Sequence, residues 1–505
     1  MFRVRFAFLV AMLSLSGCGT EASNPGGSGG AAGDAGSSGG NGGLGGGGVL
    51  VWPCTKQGIR DAIVVGGGPH TFLCDGSTRV VTEAPLQIDG DVILDGEGKL
   101  TVDGDGDHRV FIVGNPGVVP PDPIVVELRN MTIAGGFAEL PEIGGGGVLT
   151  AGELTIAGCT FRDNVAPGGS AIESLGILII EDTVITENEG TWAVSYQGSD
   201  LTIRDSTISD NVGGGLAIFG LRAQISGSTI SGNSAVDGEY GGGIWNGGEL
   251  YVWTSQIRGN DAARGGGIWN TGDLSLVDST IANNSAGDGG GVYNADPYIA
   301  DRPVFRIGLM TLLRSTLSGN LAERGGGIYT AGLWQRITNS TVSGNVADTG
   351  GGIAMVGTLE GPSSLTLANV TIADNEASEG SAIWAAGDSP ELRLLGTIVA
   401  GSCEEGTGTV TWESLGSNIE SPNDTCNLSE VSDQPNVAAD ELKLGPLGDD
   451  GGFTETHAPE AGSAAIDVML LEDCALSLPE PLGDQRFVNR PVGPACDAGS
   501  VEFQP

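Results

Sequence analysis

The stretch "GGGIWNTGDLSLVDSTIANNSAGDGGGVYN", residues 265–294, begins and ends on one pattern: three glycines, an apolar residue, an aromatic residue and an asparagine. Such glycines can cradle a phosphate, or they can be corners at which a coiling chain turns. A phosphate loop of the GxxxxGK[ST] type needs a lysine, and the chain's only lysines are Lys56, Lys99 and Lys443. A dinucleotide fingerprint needs a helix after the glycines. Here the following residues alternate apolar and polar, as in Leu274-Ser275-Leu276. That is a strand period, so the glycines read as corners.

Working outward, the unit recurs. An apolar residue followed three places later by asparagine ends at Asn164, Asn188, Asn211, Asn233, Asn260, Asn284, Asn320, Asn345 and Asn375. Each period holds three short strand-like segments separated by turns, and helical spacing is absent from 110 to 400. A repeat of this length with three strands and three corners predicts one rung of a solenoid. The expected fold is all-β: a parallel β-helix of about 13 rungs, with a short N-terminal helical cap and an irregular C-terminal cap; its resemblance to the pectin-lyase-like solenoids implies right-handed winding. Alternation puts Ser279 and Ile281 on the inward face and Thr280 outside. Residues aligned with Ser279 are small: Ser206, Ser228, Ser255, Ser315, Ser340 and Cys159. Cys159 therefore reads as a buried small residue in a serine position. The asparagines read as a structural column, each satisfying backbone groups at an inner corner.

The ends differ from the middle. "MFRVRFAFLVAMLSLSGCGT" has a basic start and a short apolar run, the form of a secretory signal. Leu15-Ser16-Gly17-Cys18 resembles a bacterial lipobox, which implies a signal peptide over 1–17 and lipid attachment at Cys18. Residues 18–48, rich in Gly and Ser, are expected to be a tether. The β-helix is placed at 49–400, including an N-terminal cap at about 54–74, and a C-terminal cap at 401–505. In the N-terminal cap, "CTKQGIRDAIV" is the one clear helical pattern, with Thr55 as N-cap and Ile59, Ala62 and Ile63 on its apolar face. Export favours disulfides, and sequence proximity suggests Cys54–Cys74, Cys403–Cys426 and Cys474–Cys496.

The formal charge is −41, which excludes charge-driven binding to nucleic acid or to an anionic membrane. Membrane contact is expected through the lipid anchor only, and the chain is expected to be a monomer. Localisation is expected at the outer membrane or cell surface. Partners are expected to be a polysaccharide or another surface protein.

The C-terminal part carries "LGPLGDDGG" (444–452), "THAPEAGSAAID" (456–467) and "DQRFVNRPVGPACDAG" (484–499). In order and spacing these resemble the choice-of-anchor Q proteins of bacterial surfaces. Phe453 stands where that family usually has Pro, and Ala498 where Ile is common. The repeats are similar to those of polymorphic outer-membrane proteins, as in "FRDN" at 161–164 with "GGSAI" at 168–172. These resemblances imply a surface-displayed, pectin-lyase-like β-helix with an adhesin-like role and no established catalytic residues.

Three features could carry chemistry. In "DGDGDH", Asp103, Asp105 and Asp107 alternate as a hard-cation pattern, a possible Ca²⁺ site or simply a polar corner. No other cofactor is expected. The outward residues of "GGGIWN" and its repeats are Trp245, Trp269, Tyr293 and Tyr329, with Trp384 later. They form either an open stripe that stacks on sugar rings or a ladder covered by adjoining loops. Extra residues at 295–308 and 356–364 follow that strand, on the flank where solenoids carry binding loops. Catalytic residues are not evident: Lys is absent between 100 and 442 and His between 109 and 456. The expected function is a lipid-anchored scaffold or adhesin-like binding protein. The alternative is a polysaccharide lyase or glycoside hydrolase acting on acidic glycans, with arginine as base.

Overall fold

The computed structural model describes residues 49–505 apart from 118–122, 140–143, 236–239, 295–307, 358–362, 471–472 and 475–482. The expected signal peptide, Cys18 and the whole of the tether lie outside the described residues, as do most of the two insertions at 295–308 and 356–364.

Each coil contributes one strand to each of three parallel sheets. In the coil of the quoted stretch, Ile268–Asn270 lies in sheet A, Asp273–Val277 in sheet B and Thr280–Ala282 in sheet C. Like residues stack on like: Ile244, Ile268, Val292 and Ile328 are in register along sheet A, as are Leu250, Leu274 and Met310 along sheet B. Sheet A has thirteen described levels, from Leu86–Ile88 to the strand that begins at Cys403. Sheet C continues to Ile419–Ser421, so coiling persists after the repeat fades from the sequence at 401. The chain is a parallel β-helix. Its interior is the inward column of Ile, Leu and Val, including Ile268, Leu276 and Ile281, all essentially inaccessible. Each such side chain contributes about 1.5–3 kcal/mol by leaving water.

The glycine triplets are corners, and the three residues serve different needs. Gly265 has φ +61°, a left-handed conformation costly to residues with a Cβ. Gly266 and Gly267 pack against the next coil instead. A Cβ at Gly266 would lie 2.3 Å from the Ser285 carbonyl oxygen, and one at Gly267 would lie 2.5 Å from that of Gly291. Between sheets C and A the chain forms a fourth, short ledge. Asp261–Arg264 pairs with Ser285–Asp288 there, and isolated bridges extend it to Tyr240 on one side and Arg324 on the other.

The other corners are left-handed as well. The residue before each ladder asparagine, such as Asp210, Asn283 or Gly232, has φ between +55° and +66°. Asp, Asn and Gly tolerate that region best. The asparagines themselves form one continuous ladder from Asn164 to Asn375. Each Nδ2 donates to the next Oδ1 at 2.8–3.0 Å. A second ladder joins sheets B and C. The backbone N of each serine from Ser206 to Ser315 donates to the hydroxyl of the next at 3.1–3.3 Å. Cys159 sits in this column, buried, with its thiol donating to the Leu128 carbonyl at 3.4 Å. A third ladder, Asn246–Asn270–Asn294, turns sheet A into sheet B.

At the N-terminal end the helix Lys56–Val65 packs on the first strands through Ile59 and Ala62. Thr55 caps it by accepting from the Gly58 N–H. The bridge Cys54–Cys74 ties that segment, and Cys403–Cys426 and Cys474–Cys496 tie the other end.

The C-terminal part is more than a plug. Val437, Leu442, Ala465 and Ala498 cover Ile398 and Ile419 at the last coils. The chain also runs back along the outer face of sheet C as a strap. The Gln485 amide donates to the Thr316 hydroxyl at 2.8 Å, Ser500 meets the hydroxyls of Thr341 and Thr371 at 3.1 Å, and His457 Nε2 meets Ser343 Oγ at 2.7 Å. The strap is held by its own buried ions. Arg490 donates to Glu502 at 2.9 Å, and the Asp484 carboxylate accepts from Arg486 and from the backbone N of Val488 and Glu502. The charged residues of the "DQR…RP…CD" motif are thus used in folding the strap, not in presenting a site.

Candidate functional site

The column Trp245–Trp269–Tyr293–Tyr329 exists in strict register. It is not an open stripe. Tyr293 and Tyr329 are buried, 4 % and 7 % exposed, and Trp245 and Trp269 are half-buried. The ledge and Phe219, at the end of a sheet A strand, cover them. Tyr240 stacks on Trp269 with centroids 4.8 Å apart, and Phe219 packs on Trp245 at 4.4 Å. Tyr293 and Tyr329 lie parallel at 4.9 Å. Arg264 sits over Tyr240 and Tyr293, and Arg324 over Tyr329. Asp288 holds the ledge together, accepting from Arg324 at 2.7 and 2.9 Å and lying 3.4 Å from Arg264. Burial pushes the Tyr293 hydroxyl up to about 12, so it stays protonated. Aromatic and cation–π contacts of this kind contribute about 0.5–2 kcal/mol each. The column cements the coils together.

The open aromatic face is elsewhere, on the outside of sheet B. In "ELYVW", Leu250 and Val252 point inward, which sends Tyr251 and Trp253 outward. Tyr251 is 40 % exposed, Trp253 37 % and Trp334, three coils on, 57 %. Arg222 lies 5.7 Å from the Tyr251 ring centroid. Register carries the Tyr251 column through Ser275 and Thr311 to Arg336, two residues from Trp334 on the same strand. Arg336 donates to the Thr338 hydroxyl at 3.1 Å. Among the described residues no carboxylate lies within ion-pairing distance of Arg222 or Arg336, unlike Arg129, Arg204, Arg314 or Arg393. At its early end this face meets an open groove of about 610 Å³ lined by Ile124, Leu175, Ile177 and Leu221.

The three aspartates of "DGDGDH" do not converge. Asp103 accepts from Arg79 Nε at 2.6 Å and Asp105 from Arg79 Nη2 at 3.0 Å. The Asp103 carboxylate also accepts from the Asp105 backbone N, and it is held below its ordinary range by these hydrogen bonds against the cost of its burial. Asp107 stands apart and exposed. Among the described residues no group of three or more His, Cys, Asp or Glu side chains is arranged to hold a metal ion. The guanidinium of Arg79, one coil away, pairs with both Asp103 and Asp105. Sequence reading also passed over Glu173. It is 2 % exposed and accepts from the Gly169 N–H, Ser195 and Gln197 at 2.8–3.1 Å. Burial raises its pKa above the ordinary carboxylate value.

Comparison with known proteins bears on the fold. A family model described as the right handed beta helix region matches residues 113–262, and the β-helix is of the right-handed kind. The crystal structure of pectate lyase Pel9A is similar at a TM-score of 0.29 and 11 % identity, over 90 % of this chain and 98 % of that one. No curated protein matches the chain.

Proposed function

We propose that the chain is an exported, lipid-anchored β-helical scaffold that binds a ligand on its flank without converting it, in the manner of an adhesin. The observation that carries this reading is the outer face of sheet B, where Tyr251, Trp253 and Trp334 stand exposed on a rigid parallel sheet. Large aromatics held open to solvent on a rigid frame favour binding, since little conformational entropy is lost on contact. The three disulfides fit an oxidising, exported setting. The reading requires no resident cofactor.

Glu173 is the observation that favours the alternative, cleavage of acidic glycans, because a carboxyl whose pKa is raised by burial is the kind of group a general acid uses. Its burial and its three internal donors favour a structural use instead. The test is a glycan array probed with the purified chain, with and without Ca²⁺, paired with analysis of the bound glycan for new chain ends. Retention of intact glycan supports the binding reading. Release of shortened chains refutes it and points to a lyase or hydrolase.

A further inference from the structure

The outer face of sheet B has two similar ends. At one, the Arg222 guanidinium lies over the exposed Tyr251 ring. At the other, Trp334 and Arg336 project from the same side of one strand, as alternate residues do. The register between them runs Tyr251, Ser275, Thr311, Arg336. At roughly 4.8 Å per coil the two ends are about 14 Å apart. Small hydroxyl side chains, Ser275 and Thr311, fill the interval. Glu249 and Asp273 stand beside this path, each engaged by another group.

Resting on the binding reading above, we propose that this face holds a neutral polysaccharide laid along the coils, with one sugar ring stacked on Tyr251 and another on Trp334. The chemistry fits sugars. Flat rings offer the apolar face that a pyranose needs, and the Arg222 and Arg336 guanidinium groups, without a carboxylate partner among the described residues, can donate to ring hydroxyls. Ser275 and Thr311 can donate or accept in between. Neutrality follows from the rest of the chain. With 63 acidic against 22 basic residues, its field repels a polyanion, and two guanidinium groups do not offset that. Two anchor points some 14 Å apart also imply a length requirement. A mono- or disaccharide reaches one end. A chain long enough to reach both binds the second end at high effective concentration.

The experiment measures affinity of the full chain for a panel of neutral polysaccharides (α- and β-glucans, mannan, galactan, xylan), their short oligosaccharides, and carboxymethylated and sulfated forms of the same polymers. At least one neutral polymer is expected to bind, with an affinity tenfold or more above that of its disaccharide. Acidic forms should bind more weakly as salt is lowered. Tyr251→Ala and Trp334→Ala should each lower affinity for the long chain at least tenfold and erase the length dependence, while Tyr251→Phe and Trp334→Phe retain it. Circular dichroism and melting confirm that the alanine variants are folded. Failure of every neutral polymer to bind, preference for the acidic forms, or equal affinity for short and long chains overturns the proposal. Intact neutral glycan held equally well by both alanine variants would defeat this site but leave the binding reading standing. Cleavage of the glycan would defeat the binding reading instead.

Discussion

Replacing Asn284 by alanine tests the asparagine ladder where the repeat is most regular. Four hydrogen bonds involve its side chain. Oδ1 accepts from the backbone N and from Nδ2 of Asn260, both at 3.0 Å, and Nδ2 donates to the Ile257 carbonyl and to Asn320 Oδ1, both at 3.0 Å. In Asn284→Ala the Asn260 backbone N–H is left buried without an acceptor, at about 1–3 kcal/mol. The other three bonds contribute about 0.5–1.5 kcal/mol each, and some of those groups keep a second partner. The expected loss is about 3–6 kcal/mol. Neighbouring Asn283 is exposed at φ +56°, a conformation that glycine adopts freely, so Asn283→Gly should cost under about 1 kcal/mol. Because coils interact mainly with their neighbours, a long solenoid need not unfold in one step. Urea unfolding should therefore be paired with site-resolved amide exchange. The Asn260 amide should exchange more than about a hundredfold faster in Asn284→Ala, as about 1.4 kcal/mol corresponds to tenfold. A loss below about 1 kcal/mol, with Asn260 protection unchanged, would refute the ladder as a source of stability.

Other outcomes follow from the same contacts. Gly266→Ala drives a Cβ to 2.3 Å from the Ser285 carbonyl oxygen, so two coils must separate. Thermal unfolding should show a loss of about 1–3 kcal/mol or more. Glu173 has a folded pKa raised above its ordinary 4.5 by burial. Its contribution is thus fully present below pH 4.5 and is lost as pH rises through the folded value. Glu173→Gln should flatten that part of the stability–pH profile, and an unchanged profile would show that the carboxyl is not strained by burial. Cys159 is buried, with its thiol pushed up to about 12. It should resist thiol reagents in the folded chain and react in denaturant, and Cys159→Ser should fold, since serine occupies that ladder position in later coils.

The repeat was legible because its signals are local. Strand alternation, the apolar-x-x-Asn spacing and the Gly triplets each lie within one coil, and stacking identical coils fixes register without further information. The Tyr293–Tyr329 pairing was readable for that reason, but its burial was not. The covering residues Tyr240, Arg264 and Arg324 sit on the ledge of other coils, and nothing in the strand pattern shows that the ledge folds over sheet A. The pairing of Asp103 with Arg79, 24 residues away, is likewise invisible to the alternation of aspartates. The strap is still less local. Its contacts to sheet C span 114 residues for Ser343–His457 and 169 for Gln485–Thr316, which periodicity cannot reach. The face of sheet B was within reach of sequence reasoning. The parity that put Trp269 outward puts Tyr251 and Trp253 outward as well, once "ELYVW" is read as a strand with Leu250 and Val252 inside.

The most direct test of where the molecule binds compares four variants against whatever glycan the full chain retains. Tyr251→Ala and Trp334→Ala change exposed residues of sheet B. Trp245→Ala and Trp269→Ala change the enclosed column. The sheet B variants should keep their melting temperature within a few degrees and lose affinity tenfold or more. The column variants should lose about 1–3 kcal/mol of stability and keep their affinity below the melting temperature. The opposite pattern, binding lost with Trp245 and Trp269 and kept without Tyr251 and Trp334, would contradict the assignment of sheet B as the binding face.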